Sequence, residues 1–155
     1  MDDPKATPQD TAPAGRAVAA GKTIVFFDGY CGLCSGVVDY LMARDLDRKL
    51  VYAPLQGETA TGVLTEAERS DLDTVIVVRD AGLPSMLKLR KSDAVLEAVS
   101  LLNSDFAALA KSAKVFPRAV RDMIYDIVAR NRFRLFGRRD SCRAPNAEER
   151  ALFLP

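Results

Sequence analysis

The stretch TIVFFDGYCGLCSGVVDYLM, residues 23–42, decides the fold. Ile24, Val25, Phe26 and Phe27 form a short continuous apolar run, the pattern of a strand covered on both faces. Asp28-Gly29 is a turn signal that ends it. From Cys31 the period changes, because Cys34, Val37, Val38, Leu41 and Met42 fall at helical spacing on one face. Strand, turn and helix therefore meet at a C-x-x-C, with Cys31 at the helix entrance and Cys34 one turn inside on the apolar side.

Downstream of this unit the charged run Arg44 to Lys49 ends the helix, and Leu50 to Ala53 is a second short strand stopped by Pro54. Gln56 to Asp73 is polar, with a short helix over Thr65 to Ser70 that opens close to a capping box. Thr74 to Val78 is a buried strand, and Asp80-Ala81-Gly82 turns the chain into a partner strand at Met86 to Leu89. Ser92 is expected to cap a helix carrying Val95, Leu96, Val99 and Leu102. Further helices are expected over Ser104 to Ala113 and from Pro117 onward, the second with Val120, Met123, Ile124, Ile127 and Val128 as its buried stripe. A loop through Cys142 and Pro145 follows, then a last short helix over Glu148 to Phe153. The expected order is a β-α-β unit, then β-β-α, then C-terminal helices, in one domain over residues 23–155. Residues 1–22, almost without large apolar side chains, are expected to be a disordered tail.

The composition narrows the chemistry. A chain of 155 residues, 48% hydrophobic and 28% charged, suits one soluble core, and a net charge of +1 gives no global field toward nucleic acid or membrane. Histidine is absent, which removes Ser-His-Asp and Cys-His hydrolases and zinc enzymes with His ligands. Three cysteines, Cys31, Cys34 and Cys142, are too few and too odd in number for a secreted disulfide framework. They also leave a zinc site short of ligands, so weak or adventitious zinc binding is expected. No stretch reaches the roughly 18 apolar residues of a membrane span, and the acidic N-terminus is unlike a secretory signal. A reducing cytoplasm is the expected address.

Chemistry concentrates at the C-x-x-C. At a helix entrance, free backbone N–H groups and the helix dipole favour a thiolate, so Cys31 is expected to be the exposed, low-pKa nucleophile. Cys34, on the apolar face, is the shielded thiol that resolves the mixed disulfide. The alternative is that both cysteines simply fill small apolar sites. Asp28 has two readings: it relays the proton of Cys34, or it forms the turn with Gly29. The segment VFFDGY is also similar to the first motif of haloacid dehalogenase-like phosphatases, but Phe26 stands where their nucleophilic Asp belongs.

The chain resembles the DCC family of thiol-disulfide oxidoreductases, named for an Asp-Cys-Cys signature, here Asp28, Cys31 and Cys34 in FFDGYCGLC. The resemblance continues through Ala53-Pro54-Leu55-Gln56, the Ser92-Asp93-Ala94 helix start and a second signature, YDIVARNRFRLFGRRDSCR, residues 125–143. It implies a thioredoxin-like fold, thiol-disulfide exchange with a protein or small-molecule disulfide or dithiol, and no bound cofactor. Three features depart from thioredoxin: no Trp precedes Cys31, Gly-Leu separates the cysteines, and Leu72-Asp73-Thr74 before the third strand contains no proline.

Cys142 lies in the second signature amid Arg138, Arg139 and Arg143, as a reactive third thiol or a packing residue. Residues 111–143 hold two Lys and eight Arg against three Asp, a local +7. This segment carries the competing expectation of a non-catalytic module that binds an anionic partner, beside the plainer reading of a solvated face.

Overall fold

The computed structural model describes residues 21–155, so the expected tail lies outside the described residues except for Gly21 and Lys22. Strand β1 (Thr23–Phe27) is buried along its whole length, as its unbroken apolar run requires. It pairs in parallel with β2 (Leu50–Pro54), Thr23 opposite Leu50 and Phe27 opposite Pro54. On its other side β1 runs antiparallel to β3 (Ile76–Arg79), which pairs antiparallel with β4 (Leu87–Arg90). The order β2-β1-β3-β4 gives a mixed four-stranded sheet with β1 central, the thioredoxin-like arrangement.

Alternation along β1 divides the core into two. Ile24 and Phe26 pack with Val51, Ala53, Ile76 and Val78 under helix α2 (Glu58–Val63). Val25 and Phe27 pack on the opposite face against α1 (Gly32–Arg44) and α4 (Lys91–Ser100). The apolar stripe of α1 is the expected one, with Val38 and Leu41 fully buried and Cys34, Val37 and Met42 packed at its margins. Buried Asp45 ends α1 and ties it to β2, accepting the N–H groups of Lys49 and Leu50 at 3.0 and 2.8 Å.

Helix α3 (Glu66–Ser70) opens with the expected capping box between Thr65 and Glu68. Helix α2 was not expected; its ETATGV sequence has no apolar period. Its first turn is held from the far end of the chain, where Pro155 carbonyl accepts the Thr59 N–H at 2.7 Å. Ser92 does not cap α4: the helix starts one residue earlier, and the Ser92 hydroxyl donates to Asp122 instead. Helix α5 (Asp105–Ala113) begins where expected, and the expected last helix is a single 3₁₀ turn (Arg150–Leu152).

The large correction concerns α6 (Arg118–Phe136). Val120, Met123, Ile124, Ile127 and Val128, expected to be buried, are 42–57% exposed, and only Ala129 and Arg132 of this helix are buried. The physical reason is that α6 docks by its polar side. Arg121 pairs with Asp93 at 2.7 Å, Lys91 with Asp126 at 2.8 Å, and the Tyr125 hydroxyl accepts the Val75 N–H at 2.8 Å and donates to Asp73 carbonyl at 3.2 Å. Among the described residues no helix is long and apolar enough to cross a membrane.

Candidate functional site

The end of β1 delivers Asp28, and the turn after it is held by that residue twice. Its carboxylate accepts the Tyr30 N–H at 3.0 Å, and its carbonyl accepts the Cys31 N–H at 3.2 Å. Asp28 therefore does form the turn with Gly29. Buried at 2% exposure, the same carboxylate also accepts Gln56 Nε2 at 2.9 Å and faces Arg132 at 3.6 Å. Gln56 closes the ring by accepting the Gly29 N–H at 3.3 Å. A carboxylate out of water needs such partners, and it has amide, backbone and guanidinium donors together.

Cys31 is the N-cap of α1, and its Sγ accepts the Cys34 N–H at 3.2 Å. The Cys34 thiol bonded to it lowers the Cys31 thiol most, burial opposes this, and the Cys34 N–H and Arg132 charge add to the lowering; the result is about 6. Cys34 moves the other way, because its own hydrogen bond to Cys31, its burial and the neighbouring Cys31 charge all disfavour ionising it. The bonds at this helix entrance favour charge on Cys31 over Cys34.

The expected asymmetry in exposure is reversed. Cys31 has 0% exposure, whereas Cys34 is only partly buried. The cover is the segment after α6. Arg138 bridges Cys31 as a short β pair, Gly137 carbonyl accepts the Gly32 N–H at 3.3 Å, and the Arg139 and Arg143 N–H groups donate to Tyr30 and Gly29 carbonyls at 2.7 and 2.8 Å. This strap explains two glycines: a Cβ on Gly32 would collide with Phe136 carbonyl oxygen, and one on Gly29 with Cys142 Sγ. Cys142 is thereby fixed against the Asp28-Gly29 turn, with its thiol pushed up by burial and by Asp28, against the opposing charge of Arg139.

Cys34 borders a cavity of about 260 Å³ with almost entirely apolar walls. Leu33 and Val37 of α1, Leu72 to Val75 before β3, and Val128 of α6 line it, and Asp28 and Arg132 also reach it. Leu72-Asp73-Thr74 therefore faces Cys34 across the cavity.

Arg132 and Gln56 are the residues whose roles the sequence reading missed. Arg132 is 3% exposed, and its guanidinium links Asp28 with Asp73. Reading the α6 stripe as inward had turned Arg132 outward, so one error of facing hid it. Gln56 stands in the quoted Ala53-Pro54-Leu55-Gln56 stretch, but its bond to Asp28 bridges 28 positions. Of the +7 segment, Arg121, Arg132 and Arg143 turn inward to carboxylates.

A family model described as DCC1-like thiol-disulfide oxidoreductase matches residues 25–138, most of the chain, and ends short of Cys142. A chloroplastic DCC family protein of Arabidopsis thaliana is 34% identical over 78% of this chain and 69% of its own length. The uncharacterized protein YuxK of Bacillus subtilis is 29% identical over 85% of this chain and 93% of its own. No solved structure matches the chain.

Proposed function

The chain belongs to the DCC1-like thiol-disulfide oxidoreductase family, and from that premise we propose that it exchanges disulfides through Cys31 and Cys34. The observation that carries this reading is the bond from the Cys34 N–H to Cys31 Sγ at 3.2 Å, made where the Cys31 thiol is lowered to about 6. At neutral pH such a thiol is mostly thiolate, the form that attacks sulfur.

In the reducing direction the Cys31 thiolate attacks a substrate disulfide, forming a mixed disulfide and expelling one substrate thiolate. Cys34 then loses its proton and attacks Cys31 Sγ. The Cys31–Cys34 disulfide forms, the substrate leaves as its second thiol, and two electrons have passed to it. A dithiol partner reverses these steps to restore the pair. Asp28, hydrogen-bonded in place by Gln56, takes the Cys34 proton in this scheme. The apolar cavity beside Cys34 supplies the approach, and the Gly137 to Arg143 strap must shift for Cys31 to meet a substrate sulfur. No bound cofactor is needed, because the protein itself carries the electrons. Three cysteines, too few for a disulfide framework, suit a reducing compartment, the cytoplasm in this reading.

Incubation in glutathione redox buffers tests the premise: Cys31 and Cys34 should interconvert reversibly between dithiol and disulfide, read by mass. Failure to do so rejects the function. With a disulfide substrate, Cys34→Ser should accumulate reducible mixed disulfides while Cys31→Ser forms none. Equal trapping by both variants would reject the assigned roles. The pair of experiments is run with and without Cys142→Ser, since a third thiol near the turn is a competing resolver.

A further inference from the structure

Helix α6 is amphipathic in the reverse sense, and its outward side is long. Val115 and Phe116 precede it, and Val120, Met123, Ile124 and Ile127 continue the line of Phe116 at helical spacing, all between 45% and 87% exposed. The helix itself is 19 residues, about 28 Å. A contiguous apolar strip of this length on a water-facing surface marks an interaction site.

Charge beside the strip selects the occupant. Arg130 and Arg134 extend the same side of the helix beyond Ile127, and Arg138 and Arg139 follow within one turn of its end. Lys111 lies just before the strip. All five are exposed, and among the described residues none has a carboxylate within 4 Å. Two acids of α6 already have partners: Asp122 pairs with Ser92 and with Arg118 of its own helix, and Asp126 pairs with Lys91. The outward surface is therefore apolar with cations in excess: Asp140 is the exposed acid beside Arg138 and Arg139, and the acids nearest Arg130 lie in the cleft of Asp71, Asp73 and Asp126, a balance that the total of +1 conceals.

A second copy fits this pattern poorly, since helices that pair along an apolar seam match opposite charges at its flanks, and here cation would meet cation. Residues 1–20 supply only Met1 and Val18 as larger apolar side chains, too few to complement six. We propose that the outward side of α6 docks in plane on an anionic lipid surface, with Phe116, Val120, Met123, Ile124 and Ile127 in the acyl boundary and Arg130, Arg134, Arg138 and Arg139 on the phosphates. Apolar insertion combined with Arg contacts to headgroups is the physics of an interfacial helix. Val128 belongs both to this exposed side and to the cavity wall beside Cys34, so docking sets the thiol site at the edge of the lipid.

Co-sedimentation of the full chain with phosphatidylglycerol–phosphatidylcholine vesicles, against phosphatidylcholine alone, is the test. Partition is expected into the anionic vesicles, falling about tenfold or more as salt rises from about 0.05 to about 0.5 M. Ile124→Asp with Ile127→Asp should weaken it about tenfold or more, and Arg130→Gln and Arg134→Gln about fivefold each. All four positions are exposed, and circular dichroism checks that the variants remain folded. Absence of partition, equal partition into both vesicles, or indifference to these substitutions overturns the proposal. So does a dimer in sedimentation equilibrium that Ile124→Asp splits while anionic vesicles are ignored.

Discussion

Helices α1 and α6 flank the candidate site and carry the same kind of sequence pattern, yet they face opposite ways. In α1 the apolar stripe of Val38 and Leu41 packs on the sheet, and the polar side meets solvent. In α6 the apolar stripe meets solvent, while Arg121, Asp122, Tyr125, Asp126 and Arg132 meet the body of the protein. Periodicity establishes that a helix has two different sides. It does not say which side the rest of the chain will accept. Here the acceptors are Asp28, Asp73, Lys91, Ser92 and Asp93, polar groups arrayed along the sheet end and α4 that only a polar helix side satisfies.

The inward polar side of α6 should therefore be as important to stability as the core stripe of α1. Arg132→Met keeps most of the volume but leaves Asp28 buried without its cation, and removing one partner of a buried pair costs about 3–5 kcal/mol. Urea unfolding measures this, and a loss below about 1 kcal/mol would show that Gln56 and the Tyr30 N–H satisfy Asp28 alone.

Next in size is the direct contrast between the two stripes. Leu41→Ala, at 2% exposure in α1, should cost about 2–5 kcal/mol. Ile127→Ala, at 56% exposure in α6, should stay within about 0.5 kcal/mol of wild type. Equal costs at the two positions would mean that the outward side of α6 is covered in solution, and the concentration dependence of the unfolding midpoint would then reveal a second copy.

The parts of this architecture legible in the sequence were those set by local rules. The unbroken apolar run of β1 follows from its central place in the sheet, the Asp28-Gly29 turn and the C-x-x-C at the α1 entrance follow one another directly, and the Thr65–Glu68 box is contained within four residues. What stayed hidden was made by partners distant in sequence. The cover over Cys31 comes from residues 137–143, which is why a cysteine at an open-looking helix entrance is sealed. Helix α2 takes its first-turn acceptor from Pro155. Arg132 reads as one more surface arginine until its helix is turned around.

A smaller effect tests how α6 is seated. The Tyr125 hydroxyl ties α6 to the loop before β3 by two backbone bonds, to Val75 N–H and Asp73 carbonyl. Tyr125→Phe should cost about 1 kcal/mol. It should also loosen the Leu72 to Val75 wall opposite Cys34, seen as faster amide exchange at Val75. Unchanged exchange there would mean that Arg132 alone holds the wall.

The smallest expected effect is the electrostatic reach of α6 into the α1 entrance. The Cys34 thiol is the main cause of the lowered Cys31 value, with the Cys34 N–H next among the lowering causes, and Arg132 acts after both. In wild type the ultraviolet absorbance of the Cys31 thiolate should therefore titrate near pH 6. Cys34→Ala should raise that midpoint most, and Arg132→Met by only a fraction of a unit, with Arg132→Lys restoring most of it because the charge is kept. Linkage gives the stability counterpart. A thiol held below its ordinary value of 9.0 releases its proton in the folded state first. The unfolded chain then binds more protons between about pH 6 and 9, and stability from this group grows with pH across that window. It is complete above the unfolded value and lost as pH falls through the folded one. Wild type should thus gain stability relative to Cys31→Ser as pH rises from 6 toward 9, and Arg132→Lys should preserve that slope. A Cys31 midpoint that Arg132→Met leaves in place would confine the control of this thiol to α1 itself, with α6 acting on the site only through Asp28.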